Sequence, residues 1–127
     1  FEYVDYSRQL QMCQRYYESS YDIGTPVGTI TSNGVIVFKG VGDNSGTTGG
    51  SFSFKVTKRA LSTMTFYSAT TGVTANWTYS SSGIPAGGAI AASVNFVGFN
   101  NASVSCGSVS GWMAAVSYGH YVASAEL

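Results

Sequence analysis

The side chains with chemistry to offer are few and badly spaced for catalysis. Paired carboxylates for glycoside cleavage would come from Glu2, Asp5, Glu18, Asp22, Asp43 and Glu126, the six acids of the chain. All but Asp43 lie near the chain ends, where ion pairs to Arg8 and Arg15 explain them more simply. The lone histidine, His120, falls between Gly119 and Tyr121, far in sequence from both Cys13 and Cys106. No ligand spacing for a metal results, and His120 reads as structural or surface. Between Gly107 and Gly111, valine occupies the place where a nucleophile elbow needs serine. Gly40-Val41-Gly42 lacks the Gly-Lys-Ser/Thr that completes a phosphate loop. No catalytic residue, metal site or cofactor is assigned, and the chain is not read as an enzyme.

What remains is recognition. Asp43, Asn44, Tyr79, Asn100, Asn101 and Trp112 fall in or beside loops and are of types that hold sugars. Aromatic faces stack on pyranose rings, and amides and carboxylates bond their hydroxyls. Core packing competes at least equally for Tyr79 and Trp112. The expected contact surfaces are the loops 40–50, 80–88 and 100–111, rich in Gly, Ser and Asn, not the strand faces. Asn76-Trp77-Thr78 and Asn101-Ala102-Ser103 match the glycosylation triplet, a pattern common by chance.

These residues need a scaffold, and its composition narrows the partners. Only 9% of the 127 residues are charged and the net charge is zero, which disfavours nucleic acid and anionic membranes. No apolar run is long enough to span a bilayer, so membrane insertion is not expected. So sparse a charge, with 14% aromatic residues, favours association over a lone monomer. The 5–22 stretch concentrates Tyr and Arg, types enriched at interfaces, and Arg8, Arg15, Tyr16 and Tyr17 are the candidate contacts between copies. The apolar settings of Cys13 and Cys106 favour two buried thiols over a disulfide.

Periodicity supplies the elements. Tyr6, Leu10, Cys13 and Tyr17 recur at helical spacing behind a capping Asp5 or Ser7, and strand character begins after Gln14. Thr29–Thr31 can start a strand before the hairpin signal Asn33-Gly34, and 35–39 is a β-branched strand. The five glycines of 40–50 read as loop. Alternation then gives strands over 51–57, 63–69, 73–79 and 89–97, with Ile90, Ala92, Val94 and Phe96 sharing a face. A short strand at 103–106 and terminal strands at 112–117 and 119–125 complete the set. Regularly spaced strands with long Gly-rich crossings predict an all-β, jelly-roll-like antiparallel β-sandwich with a short N-terminal helix, one domain over 1–127.

Three stretches resemble the C-terminal head domain of phage tail-fibre and other virion fibre or spike proteins. Leu10 with Cys13-Gln14-Arg15-Tyr16-Tyr17-Glu18-Ser19 is similar to that family's opening motif. Phe54–Ala60 followed by Thr65-Phe66-Tyr67-Ser68-Ala69-Thr70-Thr71-Gly72 resembles its middle motif, with Lys58 in place of Met and Leu61-Ser62 in place of Ala-Pro. Ala123-Ser124-Ala125-Glu126-Leu127 resembles its terminus. The resemblance implies a β-sandwich head at the distal end of a longer chain, homotrimeric, contacting other virion proteins and a host-surface glycan or receptor. The implied location is the virion. Two other readings are a purely structural capsid-decoration or subunit-joining module, and a polysaccharide depolymerase.

Overall fold

A computed structural model describes residues 5–39, 47–81, 88–108 and 115–125. Among these, one helix, α1 (Tyr6–Gln14), precedes eight strands: β1 (Tyr17–Ser19), β2 (Ile36–Lys39), β3 (Thr47–Ser53), β4 (Thr63–Ser68), β5 (Asn76–Ser81), β6 (Gly88–Val97), β7 (Asn101–Ser108) and β8 (Ala115–Ser124). Every pairing between them is antiparallel, so the protein is all-β with a short N-terminal helix.

The last strand is the hub. On one side of β8, β1 pairs with residues 122–124 and β2 with 116–119. On the other, β4 pairs with 119–124 and β5 with 115–118. Each flank is thus one line of strand interrupted once, by 20–35 on the first side and 69–75 on the second. Beyond β5 the order continues β6, β7, β3, and the sheet curls until β3 approaches β2. Residues 117, 119, 121, 123 and 125 of β8 and its end point inward, and all five are buried. The core joins Trp77, Phe66, Ile90, Val104 and Cys106 to Phe54 and Tyr121. Phe52 from β3 lies 4.4 Å from the Tyr121 ring, bringing the far end of the curled sheet back onto the hub strand.

Several expectations change. The glycine-rich 40–50 region ends as strand, because Gly49 and Gly50 lie against β7 at Ser105 and Val104. A Cβ on Gly50 would strike the Phe38 ring at 2.5 Å, so glycine is what lets β3 close over β2. Thr29–Thr31 forms no strand: the Thr31 carbonyl bonds to the His120 ring and Thr29 turns back on Pro26. The strand expected over 73–79 starts only at Asn76, because Ala75 adopts φ 57°. From that position Ala75 links β4 and β6, donating to Phe66 O and accepting from Ala92 N. The expected break at Tyr118 is absent, and β8 runs through Tyr118 and Gly119 unbroken.

Helix α1 forms where the spacing predicts, yet none of its nine residues is buried. Tyr6, Cys13 and Tyr17 face solvent, with only Leu10 and Gln14 half covered. Asp5 precedes the helix, but its carboxylate accepts from the Ser7 hydroxyl and caps no backbone N–H. Neither cysteine is in a disulfide; Cys106 is buried as expected, whereas Cys13 is exposed because the helix packs by its end and not by a face.

Candidate functional site

Two clusters place acid–base side chains together, with Glu18 and Lys58 buried in one and His120 in the other. The first forms where the curled sheet closes. Glu18 of β1 is paired with Lys58, Oε2 to Nζ 2.7 Å, and both side chains are inaccessible to solvent. The backbone N–H of Lys55, just past β3, donates to both carboxylate oxygens at 3.1 Å, and the Tyr121 hydroxyl donates to Oε1 at 2.7 Å. A side chain therefore stands where a backbone ladder between β1 and the end of β3 would otherwise run. Lys58 Nζ also donates to Gln14 O, satisfying a carbonyl at the last residue of α1, and lies 4.9 Å from the Phe54 ring centre. Burial, and then the hydrogen bond to Glu18, push the Tyr121 hydroxyl far above tyrosine's ordinary range, so it stays a donor. The acids were expected to pair with Arg8 and Arg15; Glu18 instead takes a lysine 40 positions away. Lys58, one of the positions that depart from the resembled middle motif, is the one that pairs.

The second cluster fills the gap left where both flanks of β8 are interrupted. His120 is 0% exposed and stacks on Tyr21 at 3.9 Å between ring centres. Its Nε2 faces the Thr31 carbonyl at 2.9 Å, an acceptor only, so Nε2 carries the hydrogen. In the neutral ring Nδ1 must then accept, from the Ser20 hydroxyl at 3.0 Å, while Ser20 Oγ accepts the Tyr121 backbone N–H. The Ser–His contact is thus a clasp holding the 20–35 excursion onto β8. The imidazole itself is inaccessible to solvent.

Burial lowers the His120 pKa below its ordinary 6.5, with the Thr31 bond and the nearby Asp22 charge opposing. A depressed folded-state value means that the unfolded chain takes up the proton first as the pH falls. Stability is therefore complete above about pH 6.5 and declines as the pH drops through the folded value. NMR titration of this one imidazole should give a midpoint below 6.5, with the thermal midpoint falling over the same interval. A midpoint at or above 6.5 would contradict the buried neutral clasp.

Among the described residues, an accessible surface that combines an aromatic ring with hydroxyl and amide groups lies on the outer face of β3, β7 and β6, a strand face and not one of the loops expected to make contact. Alternation in 89–97 puts Phe96 on one face with Ile90, Ala92 and Val94; of these Ile90 and Ala92 are buried, while Val94 is already 44% exposed. The register breaks the pattern: Val94 pairs with Val104 but Phe96 with Ser103, leaving Asn95 as an extra residue in β6. That bulge inverts the remaining alternation. Val97 turns toward the core, and Phe96 points out at 73% exposure. Its backbone N–H donates to Ser103 Oγ at 3.0 Å, which holds the bulge. A hollow of about 350 Å³ follows, bounded by Phe96, Asn95, Ser51, Ser103, Ser105 and the bare backbone of Gly49–Gly50. The β3–β7 register also shifts beside it, between Thr47 and Gly49. A second hollow, of about 250 Å³, lies between α1 and the 21–27 segment, with Leu10, Tyr17 and Ile23 among its walls.

The sequence candidates scatter. Asp43, Asn44 and Trp112 lie outside the described residues. Tyr79 is half-buried against the core. Asn100 and Asn101 are exposed at the β6–β7 turn, and Asn101 pairs with Ser53 at the end of the same outer face. Arg8, Arg15, Tyr16 and Tyr17 are all exposed, with Tyr16 held by Arg59. Among the described residues no group of three His, Cys, Asp or Glu could hold a metal, and no helix is long and apolar enough to cross a membrane. Phe96 and Asn95, which sequence reasoning missed, carry no local signal of the bulge. No family model, curated protein or solved structure matches the chain.

Proposed function

We propose that this chain is a recognition domain of a virion fibre or spike, binding a host-surface glycan without chemistry. The observation that carries the reading is the outer face of β3, β7 and β6, where an exposed aromatic lies among hydroxyl and amide side chains. The fibre setting rests on the resemblance of the 10–19, 54–72 and 123–127 motifs. The Glu18 and His120 clusters support a non-catalytic reading, since their acid–base groups are committed to one another. A homotrimer with the 5–22 stretch near its seam agrees with the exposure of Tyr6, Met12, Tyr16 and Tyr17. Three copies would also raise weak contacts by roughly 10²–10⁴ in avidity where receptor spacing permits.

Binding of the fluorescently labelled 127-residue protein to a panel of bacterial strains tests the proposal. Saturable adsorption to at least one strain, competed by that strain's isolated surface polysaccharide, is expected. A folded protein that adsorbs to none would leave the purely structural role instead.

A further inference from the structure

We propose that the Asn95 bulge builds a subsite for one ring of an uncharged saccharide, with Phe96 as its stacking platform. This rests on the recognition reading and assigns it a place and a ligand class. Three features of the hollow select the ligand. First, the exposed Phe96 ring offers an apolar face, suited to the axial C–H surface of a pyranose. Second, the polar groups around it are neutral: the Asn95 amide and the hydroxyls of Ser51, Ser103 and Ser105. Such groups both donate and accept, matching sugar hydroxyls that do the same. Ser103 Oγ already accepts from Phe96 N, which fixes the hydroxyl beside the ring and leaves its own hydrogen to donate elsewhere. Third, no charged side chain among the described residues lines the hollow, so none compensates a phosphate, a carboxylate or an acidic polysaccharide there.

The same lining argues against a protein partner. Phe96 is of a type enriched at protein–protein interfaces, but serine is depleted there, and three of the eight described residues lining the hollow are serines, with no Tyr, Trp, Met or Arg among them. The floor is correspondingly bare. A Cβ on Gly49 would collide with the Val104 carbonyl oxygen, so that position stays backbone only and a flat ligand can approach it. The size agrees as well, at the lower end of the roughly 300–1,000 Å³ typical of ligand pockets. The bulge is the device that makes the site. Without the extra residue Phe96 would fall on the face of Ala92 and Val94, and Val97 would take its place on the outer face.

The test is ¹⁵N NMR titration of the protein with maltotriose, chitotriose, lactose and mannotriose, beside sialyllactose as an anionic control. At least one neutral sugar should shift the amides of Gly49–Ser51, Asn95–Phe96 and Ser103–Ser105 saturably. Phe96→Ala should weaken that binding by at least about tenfold with an unchanged thermal midpoint, since an exposed side chain supports little of the fold. Phe96→Trp should retain binding. Sugar binding that survives Phe96→Ala undiminished overturns the subsite while leaving glycan recognition standing elsewhere on the domain. Preference for sialyllactose overturns the neutral-ligand assignment. Failure of all five sugars overturns the subsite; strain adsorption then decides the recognition reading separately. If the same amides move on protein dilution without sugar, the face is a contact between copies and the proposal falls.

Discussion

Glu18→Ala is expected to cost about 3–5 kcal/mol, a large fraction of the stability of a domain of this size. The loss does not measure the worth of the ion pair, because pairing two buried charges roughly offsets their desolvation. It measures what is left behind. Lys58 Nζ, inaccessible to solvent, would keep only the Gln14 carbonyl and the Phe54 ring, and the Lys55 N–H and the Tyr121 hydroxyl would lose their acceptor. All of these groups stand where the two ends of the curled sheet meet, so the penalty falls on closure itself. Urea unfolding of Glu18→Ala and Lys58→Met, separately and together, makes the argument checkable. The double variant should recover much of the Glu18→Ala loss, since removing both partners leaves no orphan charge. Additive losses, or a single-variant cost under about 1 kcal/mol, would show that the carboxylate does not hold the closure.

Gly119→Ala is expected to cost about 3 kcal/mol, the upper end for overpacking a rigid core. Its added methyl would lie 2.5 Å from Trp77 Cγ and closer still to Cδ1, distances no packed core tolerates. Trp77 has little room to yield. It is 0% exposed, donates from Nε1 to the His120 carbonyl at 3.1 Å, and packs between Phe38 and Phe66 at 5.9 and 5.8 Å. Shifting the indole would disturb β2, β4 and β8 together. A Trp77→Phe background should reduce the cost of the added methyl, because the smaller ring vacates part of the contact. If Gly119→Ala is as costly beside phenylalanine as beside tryptophan, the clash is not the cause. The glycine in the middle of the hub strand, beside which the sequence suggests a break, is thus a packing requirement.

Both arguments turn on contacts between residues far apart in the chain, and that divides what was legible from what was not. The amino-acid sequence by itself determined the elements whose signal is local. Helix α1 follows from the spacing of Tyr6, Leu10 and Cys13, and strand β4 from the alternation of Met64, Phe66 and Ser68, whose inward side the structure confirms. The all-β class follows from the repetition of such stretches. Tertiary structure decided the rest. The helical stripe exists, but the described fold half covers Leu10 alone among its residues, since amphipathic spacing cannot say whether a partner face is present. Glu18 reads as a terminal acid near Arg15 until the curling sheet carries Lys58 to it. His120 reads as a surface or structural residue of an ordinary strand until two interrupted flanks open a gap into which its ring stacks on Tyr21. Phe96 alternates perfectly with Ile90 and Ala92, and one unpaired residue against β7 turns it outward. A bulge is a property of the register between two strands, so no periodicity within one of them can reveal it.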